Sequence, residues 1–516
     1  MSFTRSSGIL LHPTSLPGRF GIGDLGDAAY ALVDFLVESG QSLWQVLPLG
    51  PTGFGDSPYQ CFSSFATNPL LISPERLVED GLLAETDLQH TPRFPAAQVD
   101  YGRVIDFKTA LLAQAFENFK HTTQTELRSG FLAFIKRSES WLEDYALFRA
   151  LKDANGGASW NQWEPGLRKR EPVAMLAARD ELHDRVEAQK FYQYLFYKQW
   201  AALKDYCHTN RIKIIGDIPI FVAYDSSDVW ANPELFKLDS EGNPTVVAGV
   251  PPDYFSKTGQ LWGNPIYDWS RLRATGYRWW IDRLRATLEV VDIVRIDHFR
   301  GFAACWEIPA GDRTAENGRW VEVPGREIFD TLKSDFDELP VIAEDLGVIT
   351  PDVQALRDDF GFPGMRILQF GFRSTTNTDL PHNYVQNTIV YTGTHDNDTA
   401  VGWFNSQAGA GSTRTAEQIE AERRFCLQYL DSDGREIHWD FIRAAMSSVA
   451  HTAIIPMQDL LGLGSDARMN LPASTEGNWR WRFGQKALTK SLSRRLRQVS
   501  ELYVRGRNQP KHTTTD

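Results

Sequence analysis

Eight short apolar runs, rich in β-branched residues and bounded by turn residues, constrain the fold of this chain more than any other feature. They are SGILLH from Ser7, SLWQVLPLG from Ser42, IKIIGDIPIFV from Ile212, VVDIVRID from Val290, PVIAED from Pro340, MRILQF from Met365, TIVYTGTHD from Thr388 and TAIIPMQDLL from Thr452. Most are apolar at consecutive positions, the pattern of parallel strands buried on both faces. Helical spacing fills the intervals. DAAYALVDFLVESG follows the first run, and TPDVQALRDDFG follows the fifth, with Thr350 placed to cap, Pro351 at the first helical position and Gly361 just past the end. Eight strands alternating with helices predict an α/β fold, a (β/α)8 TIM barrel forming one unit over residues 1–516.

The runs are unevenly spaced. The second and third are much farther apart than one crossover requires, and helical patterns such as EAQKFYQYLFYKQWAALKDYCHTN occupy the gap. Residues 70–200 are therefore expected to be a mostly helical inserted subdomain. A second insertion, 224–275, is rich in Gly, Pro, Asp and aromatics and reads as a lid of loops after the third strand. No pattern after the eighth run calls for a C-terminal β-sandwich domain.

A net charge of -12 disfavours nucleic acid and membrane surfaces as partners and suits a neutral substrate. Cys61, Cys207, Cys305 and Cys426 form no CxxC pair, which argues against a zinc knuckle or a dithiol site and for a reducing compartment. The first residues, MSFTRSSGILLHPTS, carry an apolar run too short for a signal-peptide core. The expected location is cytoplasmic, and the sequence leaves monomer and dimer open.

In such a barrel, reactive side chains sit where strands end and βα loops begin. The fourth run ends in Arg295-Ile296-Asp297-His298, the fifth in Glu344-Asp345 and the seventh in His395-Asp396. Three carboxylates at three strand ends converge on one mouth, and cleavage of a glycosidic bond needs two carboxyl groups in different protonation states. Arg295 and Asp297 are two apart on a strand and share a face, so the guanidinium favours the ionised carboxylate that a nucleophile requires. Glu344 follows the apolar Val341-Ile342-Ala343, where partial burial near other carboxylates suits a proton donor.

VRIDHF, IAEDLG and TGTHDND resemble the nucleophile, acid/base and stabiliser segments of the α-amylase superfamily. SGILLHPTSLPG, LPLGPTGFGDSPYQ, FATNPLLI, GDIPIFVAYDSSDVW, AGVPPDYFSKTGQLWGNP and MNLPASTEGNWRWR resemble one branch of it, the amylomaltases or 4-α-glucanotransferases, across nearly the whole chain. The resemblance implies transfer of a segment of an α-1,4-glucan to the 4-hydroxyl of glucose or another glucan, through a covalent glucosyl-enzyme. It implies Asp297 as nucleophile, Glu344 as acid/base and Asp396 as the group binding hydroxyls of the distorted sugar. It further implies Tyr59, Ser57, Asp217, Arg295, His298, His395 and Asn470 around the sugar, with Asp253 and Trp262 on the acceptor side. Maltooligosaccharides and glucose would be donors and acceptors, and no cofactor is implied.

Two weaker signals are set aside. Gly21-Ile22-Gly23-Asp24-Leu25-Gly26 fits GxGxxG, but LPGRF before it is turn-like and not a strand, so a tight βα loop is the expectation. His12, His298, His395 and Asp396 could hint at a metal hydrolase, yet no HxH pair ends the first strand and Arg295 makes the site a poor one for a cation. No metal is expected. The alternatives to transfer are an α-glucan hydrolase using the same three carboxylates and a non-catalytic glucan-binding barrel.

Overall fold

The computed structural model describes residues 4–252, 257–409, 414–472, 474 and 476–507. Twelve strands are formed: β1 (Ser6–Leu10), β2 (Leu43–Gln45), β3 (Lys213–Pro219), β4 (Val246–Val250), β5 (Gln260–Pro265), β6 (Ile293–Asp297), β7 (Ala304–Pro309), β8 (Arg319–Glu322), β9 (Val341–Ala343), β10 (Gly364–Ile367), β11 (Thr388–Tyr391) and β12 (Thr452–Pro456). Eight of them, in the order β10-β11-β12-β1-β2-β3-β6-β9, make one parallel sheet. The sheet closes where the Ala343 N–H donates to the Pro363 carbonyl at 3.0 Å and the Met365 N–H to Asp345 Oδ1 at 2.7 Å. The protein is thus a (β/α)8 barrel, and each apolar run supplies one barrel strand. Close strand contact explains Gly8: a Cβ there would meet the Leu43 carbonyl oxygen at 2.4 Å.

The helix Asp27–Glu38 buries Ala29, Leu32, Val33, Phe35 and Leu36 against the barrel, the stripe its spacing predicts. The helix Pro351–Asp359 starts at Pro351, and Gly361, at φ +68°, turns the chain out of it while Phe362 N–H donates to the Arg357 carbonyl at 3.0 Å. Thr350 stands at the cap position without capping: its hydroxyl instead accepts from Arg300 Nη1 at 2.9 Å.

Between β2 and β3 run the helices Tyr101–His121, Thr125–Arg137, Leu142–Ala154, Pro172–Glu181 and His183–Thr209. Their cores interlock through rings, Phe119 lying 4.2 Å from Phe191. Trp200 ties the last helix to the barrel by donating to the Val290 carbonyl at 2.8 Å. The region read as loops, 224–275, contains β4 and β5. They join β7 and β8, which follow β6, in a second, antiparallel sheet of order β5-β4-β7-β8. Short polar strands such as QLWGNP take their conformation from pairing with a neighbouring strand and not from an apolar pattern of their own, so local pattern does not mark them. Among the described residues, no strand follows β12 and no helix is long and apolar enough to cross a membrane.

Candidate active site

At the C-terminal end of the barrel, Asp217 on β3 pairs in register with Arg295 on β6. Arg295 is buried, and its Nη1 lies 2.7 and 2.6 Å from the two oxygens of Asp217 and 3.0 Å from Asp297 Oδ1. Burial alone would favour loss of the guanidinium proton; Asp217 and Asp297 overcome it and hold Arg295 above its ordinary value. Burial pushes the Asp217 carboxyl up, and Arg295 opposes the shift. One cation therefore bridges two acids in the barrel mouth, in the arrangement the alternation of β6 requires.

Glu344 follows β9, whose three residues are all buried. Its Oε2 accepts from the His298 N–H at 2.7 Å and its Oε1 from the Leu346 N–H at 3.1 Å. Burial first, and the charge of Asp297 second, raise its pKa from 4.5 to about 8, against the opposing pull of Arg295 and the His298 N–H. His298 has a left-handed backbone, φ 55° and ψ 50°, which aims that N–H at the carboxylate. Its imidazole is kept neutral by burial, which lowers it to about 4, and it meets Trp262 edge-on at 4.7 Å.

On the opposite side, Tyr59 stacks on His395 at 5.0 Å and donates its hydroxyl to Asp217 Oδ2 at 2.8 Å. Ser57 Oγ accepts from the Tyr59 N–H at 3.2 Å and fixes that loop. Asp396 Oδ1 accepts from Asn470 Nδ2 at 2.6 Å and lies 3.4 Å from His395 Nε2. Half of the Asp396 side chain remains open to solvent.

The cleft between these groups has a volume of about 320 Å³, and its walls include Ser57, Tyr59, Trp262, Asp297, His298, His395, Asp396 and Asn470. Glu344 is held at its edge through His298, and Arg295 and Asp217 lie beneath Asp297. Of the residues singled out in the sequence, eight line this cleft and Glu344, Arg295 and Asp217 join it through His298, Asp297 and Tyr59, while Asp253 lies outside the described residues. Among the described residues, no group of three His, Cys, Asp or Glu side chains is arranged to hold a metal ion.

Two contributors carried no individual signal. Trp479, at φ 65°, brings its ring to 5.8 Å from Tyr59 and 5.9 Å from His395 and completes an aromatic wall; it stands in the NWRWR stretch, where nothing distinguishes it from Trp481. Arg468 donates to the main-chain carbonyls of Asp396 at 2.5 Å and Asn470 at 2.8 Å, clamping two loops together. A side chain that acts on another residue's carbonyl leaves no motif.

The family model described as 4-alpha-glucanotransferase matches residues 11–487. A 4-alpha-glucanotransferase from Synechocystis sp. is 53% identical over 506 residues, covering 97% of this chain and 98% of the relative. One from Thermus thermophilus is 51% identical over 510 residues, covering 97% and 99%. Among solved structures, the amylomaltase from Streptococcus agalactiae in complex with acarbose superposes with a TM-score of 0.92 at 41% identity, covering 97% of this chain and all of that one.

Proposed function

The chain belongs to the 4-alpha-glucanotransferase family of the α-amylase superfamily, and from that premise we propose which side chains perform its reaction. That reaction is the transfer of a segment of an α-1,4-glucan to another glucan. In our reading Asp297 attacks the anomeric carbon while Glu344 protonates the departing oxygen, giving a covalent glucosyl-enzyme and a free chain. The 4-hydroxyl of an acceptor then gives its proton to Glu344 and attacks the same carbon, releasing Asp297 and remaking the α linkage.

The observation that carries this assignment is the opposite character given to two neighbouring carboxyl groups. Asp297 contacts the buried Arg295 cation, whereas Glu344 is raised to about 8 and enters the cycle protonated at neutral pH. The same coupling supports the second half-reaction. Once Asp297 is esterified its charge is gone, one cause of Glu344's high proton affinity disappears, and the group can remain the carboxylate that the second step needs as its base. Asp396, steadied by Asn470 with half its side chain open, suits the binding of ring hydroxyls, and Tyr59 offers a face to the same sugar.

Transfer outcompetes water only if an acceptor is bound and oriented while the ester is shielded. Trp262 on β5 and the segment 224–275 are our candidates for that role, with Asp253 on the acceptor side, and residues 70–200 form the helical subdomain that braces the first active-site loop. Maltooligosaccharides and glucose serve as donors and acceptors, the acarbose complex of the streptococcal amylomaltase being consistent with such ligands. We place the enzyme in the cytoplasm, in the metabolism of starch- or glycogen-type glucans, on the ground of its sparse, unpaired cysteines and acidic charge. Incubation with pure maltotriose tests the reading: transfer gives glucose together with longer oligomers, and products no longer than maltotriose would assign the site to hydrolysis.

A further inference from the structure

The second sheet presents an aromatic surface that the catalytic groups do not use. Trp306 on β7 and Trp320 on β8 are direct cross-strand partners, so their side chains stand on the same face of the sheet. Their rings meet edge to face with centroids 5.2 Å apart. Behind Trp320 lies the guanidinium of Arg300, 4.0 Å from the ring centroid. Arg300 is itself fixed, since its Nη1 donates to the Val348 carbonyl at 3.1 Å and to Thr350 Oγ1 at 2.9 Å. Trp306 is pinned in turn, donating its Nε1–H to the Ala315 carbonyl at 2.9 Å while Gly318 lies against its ring, where a Cβ would come within 2.2 Å of Nε1. Yet Trp320 remains 39% exposed on the edge strand, and Val348, whose carbonyl Arg300 holds, is 65% exposed.

A tryptophan stacked on a cation, crossed by a second indole and still partly open to solvent is a preorganised platform. It cannot turn away, so a ligand stacking on it loses little additional side-chain freedom. The apolar C–H face of a pyranose, with its hydroxyls directed outward, is the complement of such a surface. The exposed Glu322, two residues on and on the same face of the strand, offers a hydrogen-bond acceptor for those hydroxyls.

Position narrows the ligand. Arg300 follows Asp297 by three residues and Val348 follows Glu344 by four, so the patch lies within about 15 Å of backbone reach of the reacting carboxyls. It is tied to the loop that follows Glu344, through the Arg300 bond to the Val348 carbonyl. In the reading proposed above, Glu344 protonates the departing oxygen, so the leaving and accepting chains extend toward that side. We infer that Trp320, backed by Arg300 and Trp306, is an outer glucan-binding platform that holds the accepting chain of long α-1,4-glucans beyond the cleft. The inference rests on the proposed roles of Asp297 and Glu344.

The test compares wild type, Trp320→Leu and Trp320→Phe. Leucine keeps apolar bulk against Arg300 and Trp306 without a flat face, and phenylalanine keeps the face. Retardation in native gels cast with soluble starch should weaken about three- to tenfold for Trp320→Leu and be largely kept by Trp320→Phe. Maltotriose disproportionation, which needs only the cleft, should stay within about twofold of wild type by the same reasoning. Starch affinity unchanged in Trp320→Leu overturns the inference. So does a parallel loss of maltotriose turnover, which would make Trp320 a support for the Glu344 loop, or a wild-type dimer in sedimentation that Trp320→Leu dissociates, which would assign the patch to a second copy of the chain. Failure of the underlying transfer reading shows itself separately, as a wild type that makes no oligomer longer than maltotriose.

Discussion

Glu344→Gln should abolish most of the turnover and at the same time stabilise the fold, by an amount that grows with pH. Glu344 has an ordinary pKa of 4.5 and one of about 8 in the folded protein, raised by burial and by Asp297. Between those values the folded state retains a proton that the unfolded chain releases, so the stability of the wild type falls as pH rises through this window. The penalty is about 1 kcal/mol at pH 5 and about 4 kcal/mol at pH 8. Glutamine does not titrate. Its amide oxygen still accepts one of the two N–H groups, from His298 or Leu346, and its NH2 facing the other imposes a cost that does not vary with pH. The difference in Tm, variant minus wild type, should therefore widen from pH 5 to pH 8. For 516 residues the unfolding entropy is on the order of 1 kcal/mol per kelvin, which converts the change of roughly 3 kcal/mol into about 3 °C. Matched thermal scans of the two proteins at pH 5, 6, 7 and 8 measure it, other titrations being common to both and cancelling. On an Asp297→Asn background the gap should shrink, because one of the causes of the raised pKa has been removed. A Tm difference that stays flat across the pH range would refute the claim that Glu344 is held protonated by its surroundings.

The same proton governs turnover: kcat/KM for maltotriose should fall above pH 8, approaching tenfold per pH unit, as Glu344 loses the proton it must donate. A plateau extending to pH 10 would mean that another group supplies it. Arg295→Met should cost about 3–5 kcal/mol of stability, because it leaves the Asp217 carboxylate, whose side chain has 0% exposure, without its cation. Chemical or thermal unfolding reads this directly, Arg295→Lys should recover part of it, and an unchanged midpoint would show that the pair contributes nothing net.

The barrel was legible because burial on both faces writes itself as consecutive apolar residues, and all eight such runs became strands. The candidate site was legible for a related reason: Asp297, Glu344 and His395-Asp396 stand where those runs stop, so locating the strands located the residues proposed for the chemistry. The antiparallel sheet was not. In β5, QLWGNP, burial runs from exposed to buried along the strand and does not alternate, and of the two neighbours of β4 one, β7, lies beyond β6 in the chain. Arg468 and Trp479 were invisible for a different reason. Each acts through a group distant in sequence, Arg468 through the Asp396 carbonyl and Trp479 through the Tyr59 and His395 rings it packs against, and neither relationship exists until the loops are brought together.

What fixes the proposed nucleophile and acid/base relative to each other is largely backbone. The Glu344 N–H donates to the Ile296 carbonyl at 3.1 Å, the Phe299 N–H donates to the Glu344 carbonyl at 3.1 Å, and between them the His298 N–H reaches the Glu344 carboxylate at 2.7 Å. Three bonds thus lace the end of β6 to the end of β9 around Asp297 and Glu344. The middle one exists only because His298 adopts a left-handed conformation directly after Asp297, a conformation that costs a non-glycine residue of order 1 kcal/mol. A retaining double displacement requires its two carboxyl groups about 5–5.5 Å apart, close enough for both to reach one anomeric centre and too close to admit a water between them and the sugar. Strand register sets such a spacing more firmly than side-chain rotamers could. Substitutions that repack the surrounding side chains should therefore alter subsite affinity well before they alter the distance between the reacting carboxyls.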